Sequence, residues 1–316
     1  MPSLIQALAS YLDHCRLEEQ SLRTIEGKRH NLQLFVRWYI SKHGFNVCDL
    51  NKDGILDFMR YLHEYRDPQT KRLICRATRR NKITAVRIFC RYLFQSDHLA
   101  INLSEKVKTP KAERLITQDI LQPEEVAAIA KQTIVTGENG VRDCAILAVF
   151  FSCGIRRNEI TTLTLKSINY DAKLLFVRKG KGNKDRIIPI AEGALELIKR
   201  YKEDIRPQLV NYHSGDYLFL DNRGMQFNGG QVSSLISKYK QRAGISKRGA
   251  SNLYRHTTAT VMLDSGADLL TVQKMLGHED VSTTQVYTHI AVGKLRDDYV
   301  RTHPAATLPS IYSPEP

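Results

Sequence analysis

The first hundred residues carry apolar positions at helical spacing in four separate runs. Ile5, Leu8, Tyr11, Leu12 and Cys15 share one face of a helix spanning residues 3 to about 18. Ser21 is placed to cap a second helix, with Ile25, Leu32, Phe35, Val36 and Tyr39 on its apolar side and Gly44 as a stop signal. A third helix is predicted from Lys52 to Tyr65, and Asp67-Pro68 opens a loop. A fourth runs from about Ala77 to Phe94, with Ile83, Val86, Phe89, Cys90 and Leu93 on one side. From residue 99 to 120 the periodicity is lost. The run SEKVKTPKAERLITQ is polar, basic and broken by a proline, which predicts an interdomain linker.

Beyond that linker the pattern changes. Gln122-Pro123-Glu124-Glu125 reads as a helix start, with proline in the first turn and acids at the positive end of the helix dipole. Residues 141 to 152 form an almost continuous apolar run, ended by Gly154, and Arg156 follows at a helix–turn–helix elbow. In LLFVRKGKGNKDRIIPI, residues 174–190, two β-rich runs flank a glycine-lysine turn, which predicts a hairpin. YLFL, residues 217–220, reads as one more short strand. Further helices are predicted at about 230–243, 251–265, 269–276 and 282–290. The prolines at 304, 309, 314 and 316 predict an unstructured tail.

The expected fold is therefore mainly α, with a small β-hairpin or sheet in an α+β second domain. The expected division is a four-helix domain over 1–98, a basic linker over 99–120, a second domain over 121–303 and a tail over 304–316.

Charge narrows the partner. The 316 residues carry a formal net charge of +14 and a sequence pI near 9.5, which favours a polyanion, nucleic acid first. Residues 1–110 hold 19 Lys and Arg against 11 Asp and Glu, a net of +8. The fourth helix alone bears Arg79, Arg80, Lys82, Arg87 and Arg91. A charge run of this kind is most often a solvated face. On a four-helix unit it also suits a clamp on duplex phosphates. The six cysteines show no C-x-x-C spacing and several lie in apolar runs, as reduced cysteines of a cytosolic protein do. The start, MPSLIQALAS, lacks the features of a signal peptide, and no stretch approaches the roughly 18 apolar residues of a membrane span. Both features predict a cytosolic protein.

The chemistry-bearing residues cluster in three pieces. CGIRRNEI contains Arg156. KGKGNKDR contains Lys181, with Lys179 and Lys184 beside it. The stretch from Ser251 to Ile290 holds Arg255-His256, Leu276-Gly277-His278, and Tyr287 nine residues after that histidine. Two guanidiniums, an ammonium, an imidazole and a phenol make a phosphate-handling set. No acidic cluster stands beside them to hold a catalytic metal.

In this combination and order, G-x-R, G-K-G-N-K, R-H and L-G-H with its following tyrosine, the chain resembles the tyrosine recombinases of the integrase superfamily, in the style of the bacterial Xer proteins. The resemblance extends over roughly Ile5 to Pro304. It implies an N-terminal core-binding domain, a catalytic domain, a double-stranded DNA recombination site as substrate, and neither metal nor other cofactor. It also implies a tetramer on two DNA sites, formed by this chain alone or with a sister recombinase or accessory protein. The segment 295–304 resembles the end helix that Xer-like proteins pass to a neighbouring subunit.

The same resemblance assigns roles. Tyr287 is the nucleophile that forms a 3′-phosphotyrosyl link. Arg156 and Arg255 stabilise the charge of the transition state, for which their planar, permanently charged forks are suited. Lys181 protonates the leaving 5′-oxygen, and His278 donates to a nonbridging oxygen. Glu159 supports an active-site arginine, and His256 supports the site structurally. The family usually has histidine three residues before the second arginine. This chain has Asn252, which cannot change its protonation state near neutral pH. Two other readings remain at this stage: a type IB topoisomerase-like enzyme, and a DNA-binding protein of the same fold with weakened or silent chemistry.

Overall fold

The computed structural model describes residues 2–110, 119–135, 137, 139–178 and 185–277. The chain divides into two compact units, Met1–Arg114 and Leu115–Pro316.

The first unit is built on four helices: α1 (Leu4–Leu17), α2 (Leu22–Lys42), α3 (Lys52–Glu64) and α4 (Arg76–Gln95). The starts of α1 and α2 are specified locally. The Ser3 hydroxyl accepts from the Gln6 amide while the Gln6 side chain accepts from the Ser3 amide, and Ser21 caps α2 by accepting from the Thr24 amide. The apolar faces expected for α1, α2 and α4 meet, together with α3, in one core around Leu4, Leu32, Phe35, Phe58, Phe89 and Leu93. Ile5, expected on the α1 face, is instead exposed, because the buried stripe of α1 starts at Leu4 and runs through Leu8, Tyr11, Leu12 and Cys15.

That core extends further along the chain than the periodicity indicates. Leu103 and Val107 are buried in it, and a short 3-10 turn at Leu103–Glu105 packs on α4. The stretch expected to link the domains from residue 99 therefore begins as part of the first unit. Two apolar side chains are too few to show a period, although they are enough to dock a segment.

The second unit is organised around α6 (Gly140–Cys153), which packs against α5 (Pro123–Ile134), α8 (Glu192–Arg200) and α11 (Ser251–Asp264). Such a helix has to be apolar nearly all round, and Ala145, Ile146, Val149, Phe150 and Cys153 are all buried. Gly154 closes α6 in the left-handed conformation, φ +57°, and α7 (Arg157–Thr161) starts two residues later.

The expected hairpin is present as β2 (Leu174–Val177) paired antiparallel with β3 (Arg186–Pro189). Leu175 stands opposite Ile188, and Val177 opposite Arg186. A third strand, β1 (Ile168–Asn169), completes a sheet of order β1-β2-β3. YLFL does not join this sheet. Tyr217 and Leu220 make only isolated bridges, to Thr164 and Gln226, while Leu218 and Phe219 fill the core. The run is apolar because it is buried, and apolar runs of this length do not distinguish a strand from a packed loop.

After α9 (Arg206–Leu209) come α10 (Gly229–Arg242), α11 and α12 (Leu269–Leu276), close to the expected bounds. The helix expected at 282–290, the segment 295–304 and the tail lie outside the described residues. No helix among the described residues is long and apolar enough to cross a membrane. All six cysteines are free, and burial pushes the Cys90 and Cys153 thiols up to about 12.

Candidate active site

The site forms where the end of α12 meets three arginines from three different elements. The last carbonyls of a helix have no partner within it, and they carry the negative end of its dipole. Here Met275 O accepts from Arg186 Nε at 3.1 Å, Leu276 O from Arg255 Nη2 at 2.7 Å, and Gly277 O from Arg156 Nη2 at 2.8 Å. Gly277 closes α12 in the left-handed region, φ +66°. Arg186 lies against it, since a Cβ built on Gly277 would stand 3.0 Å from Arg186 Cδ.

Arg156 and Arg255, 99 residues apart in the sequence, are brought together by α6 and α11. Arg255 is buried on α11, and its Nη1 donates to Gly154 O at 2.7 Å, across the turn that presents Arg156. Thr258 reinforces the same packing by donating to Phe151 O at 2.8 Å.

Glu159 ties the remaining charges together. Its carboxylate accepts from the Arg156 amide at 2.8 Å and from Arg156 Nη1 at 3.0 Å. It also accepts from both outer nitrogens of Arg186, at 2.8 and 2.7 Å. Burial pushes the Glu159 carboxyl up. The hydrogen bonds and charge of Arg186, then those of Arg156, outweigh it and hold the group below its ordinary value.

Arg186 is the residue that the sequence reading missed. The signal was available: Arg186 falls in phase with the buried Ile188 on β3, so the alternation turns a charged residue toward the interior.

On α11, Asn252 is exposed and lies one turn before Arg255 and His256. His256 is half-buried. Burial, then the Arg255 charge, lowers the pKa of its imidazole. Lys179, Lys181, Lys184, His278 and Tyr287 lie outside the described residues. The described chain leads up to His278 at Gly277 and flanks the hairpin tip at Arg178 and Asp185.

In the first unit, the basic residues of α4 do not share one environment. Arg80 and Arg91 are exposed, and Arg87 is half-buried with Nη1 3.4 Å from Thr109 Oγ1. Arg79 leans toward α3, with Nη1 3.4 Å from His63 Nδ1. Lys82 is buried, and desolvation lowers its pKa. Lys82 thus stands apart from the exposed basic stripe, because it falls on the α4 face that packs against the core. Among the described residues, no group of three or more His, Cys, Asp or Glu side chains is placed to hold a metal ion.

Residues 119–294 match the phage integrase family. A tyrosine recombinase XerC 2 of Ralstonia nicotianae is 32% identical over 90% of this chain and 82% of its own length. A tyrosine recombinase XerD of Pseudomonas putida is 33% identical over 96% of this chain and 99% of its own. The fold is similar to that of a XerH site-specific recombinase solved in a post-cleavage complex with a difH substrate. The TM-score there is 0.70 at 20% identity, covering 93% of this chain and 83% of that one.

The buried Arg255 and the half-buried Arg156 meet beside the α6–α11 contact, and the match over residues 119–294 together with these relatives defines the class: the chain belongs to the phage integrase family. Within that family it is a Xer-like tyrosine recombinase, an enzyme of site-specific DNA recombination by the tyrosine mechanism.

Proposed function

We propose that this chain breaks and rejoins double-stranded DNA at a specific site through Tyr287, to integrate, excise or resolve a DNA element. The phenolic oxygen of Tyr287 attacks the scissile phosphorus and forms a 3′-phosphotyrosyl bond as the bond to the 5′-oxygen breaks. Lys181 gives the leaving oxygen its proton. The 5′-hydroxyl of a partner strand then reverses the step, so the energy of the broken bond is kept in the link. Arg156 and Arg255 hold the nonbridging oxygens with His278. The proton of Tyr287 passes to water or to the neutral His256, because Asn252 cannot take it.

The observation that carries this reading is the convergence of Arg156 and Arg255 on the two carbonyls directly before His278. In this reading Arg80, Arg87 and Arg91 contact duplex phosphates, which their helical spacing and accessibility on α4 support, and the buried Lys82 is left out of that set.

The working assembly in this proposal is a homotetramer on two DNA sites, in the bacterial cytoplasm. An apolar groove of about 550 Å³ in the second unit, lined by Phe151, Pro189, Ala194, Met262 and Met275, supports it. A groove of that size and character fits the apolar face of residues 295–304, with Leu295, Tyr299 and Val300, from a neighbouring copy.

The test is covalent trapping. Nicked duplexes from DNA flanking the gene are mixed with the protein, denatured in SDS and resolved for a protein–DNA band, with Tyr287→Phe alongside. A band present in the wild type and absent in the variant is expected. Specific binding without a band would favour the silent DNA-binding reading, for which Asn252 is the reason.

A further inference from the structure

We propose that Arg186 is the positioning residue of this site: it takes up the Glu159 carboxylate so that Arg156 keeps its charge for the DNA phosphate, and it seats the turn that precedes His278. The inference rests on the reading of Arg156 and His278 as phosphate-binding groups.

Charge balance makes the case. Glu159 is almost wholly buried beside Arg156, and a lone carboxylate there would neutralise the arginine that the reaction needs. With Arg186 present, both carboxylate oxygens meet its two outer nitrogens in a fork-to-fork pair, at 2.8 and 2.7 Å. Arg156 takes only one side-chain contact from Glu159, at 3.0 Å, and its second outer nitrogen goes to Gly277 O. The Arg156, Glu159 and Arg186 cluster then carries one net positive charge instead of none.

The second part follows from the remaining nitrogen. Arg186 Nε donates to Met275 O, and the side chain packs on Gly277. One guanidinium therefore couples the β3 edge of the hairpin, which leads to Lys181, with the α12 turn that leads to His278. Lysine could supply the charge at this position but not the three-way contact, because the contact needs nitrogens fixed in one plane.

The experiment uses the full-length protein and a nicked duplex selected by the wild-type chain from a random pool. DNA affinity and single-turnover cleavage are measured separately for Arg186→Gln, Arg186→Lys and the pair Glu159→Gln/Arg186→Gln. Arg186→Gln is expected to bind DNA within about twofold of the wild type and to cleave roughly a hundredfold more slowly, as when one transition-state donor is lost. Removing the carboxylate as well should restore cleavage about tenfold, because Arg156 is then no longer neutralised. A merely structural arginine predicts the reverse, a double variant as slow as the single one or slower.

Wild-type-like cleavage by Arg186→Gln, or no recovery in a folded double variant, would overturn the proposal. If Arg186→Gln does not fold, Arg186→Lys decides: cleavage within about tenfold of wild type is expected, and loss comparable to removing Arg156 would sink the charge argument. A wild-type protein that forms no adduct on the same duplex would count against the recombinase reading instead.

Discussion

Glu159 and Arg186 are joined by two parallel hydrogen bonds, 2.8 and 2.7 Å long, between elements 27 residues apart, and both side chains are nearly buried. The pair closes α7 onto β3 and leaves a defined place for Arg156. Glu159→Gln keeps the shape and removes the charge, leaving Arg186 in a low-dielectric site without its counter-charge. Removing one member of such a pair costs about 3–5 kcal/mol. Thermal unfolding should show the loss. Because the folded carboxyl is held below its ordinary value, its contribution is present above that value and disappears as pH falls through the lowered one. The acid limb of the stability curve should therefore be shallower in Glu159→Gln.

Gly154 is required by its conformation and by its neighbour. At φ +57° a side chain costs about 1–2 kcal/mol, and a Cβ would stand 2.7 Å from Cδ2 of the buried Leu276. Overpacking adds roughly 1–3 kcal/mol. Gly154→Ala should lower the urea midpoint without changing the slope. It should also slow cleavage, since the displaced Leu276 supplies the carbonyl that Arg255 holds.

His256 should make stability depend on pH near neutrality. Its folded pKa is lowered, by burial and then by Arg255. Between that lowered value and its ordinary 6.5 the unfolded chain binds more protons than the folded one, so stability falls as pH drops through this window. Urea midpoints measured from pH 7.5 to 5 should decline in the wild type. They should decline less in His256→Gln, which has no proton to take up.

Asn252 is exposed on the first turn of α11, one turn from Arg255. A histidine there could accept the tyrosine proton, a form of help worth about 10²–10⁴-fold in rate. Asn252→His should raise single-turnover cleavage with little change in stability, because the position is solvent-facing. No gain, or a loss, would mean that another group already handles the proton.

The docking of Leu103 and Val107 on the first core is open to a simple comparison. A fragment ending at residue 110 should unfold at higher temperature than one ending at residue 98, by an amount in keeping with about 2–5 kcal/mol for each large buried aliphatic side chain removed. Equal stability would return the segment to the linker.

Local physics made much of this legible in the chain. Helical periodicity marked α1 to α4, Ser21 capped α2, and Gly154 closed α6, because each depends on neighbours within one or two turns. The order of the motifs marked Arg156 and Arg255 as partners. Tertiary structure alone decided what those residues touch. It gave consecutive carbonyls at the end of α12 to Arg186, Arg255 and Arg156, buried Lys82 while exposing Arg80 and Arg91, and spent YLFL on the core rather than on the sheet. The reason is physical: an arginine's partners are set by which helix ends and carboxylates folding brings within about 3 Å of it, and no spacing along the chain encodes that distance.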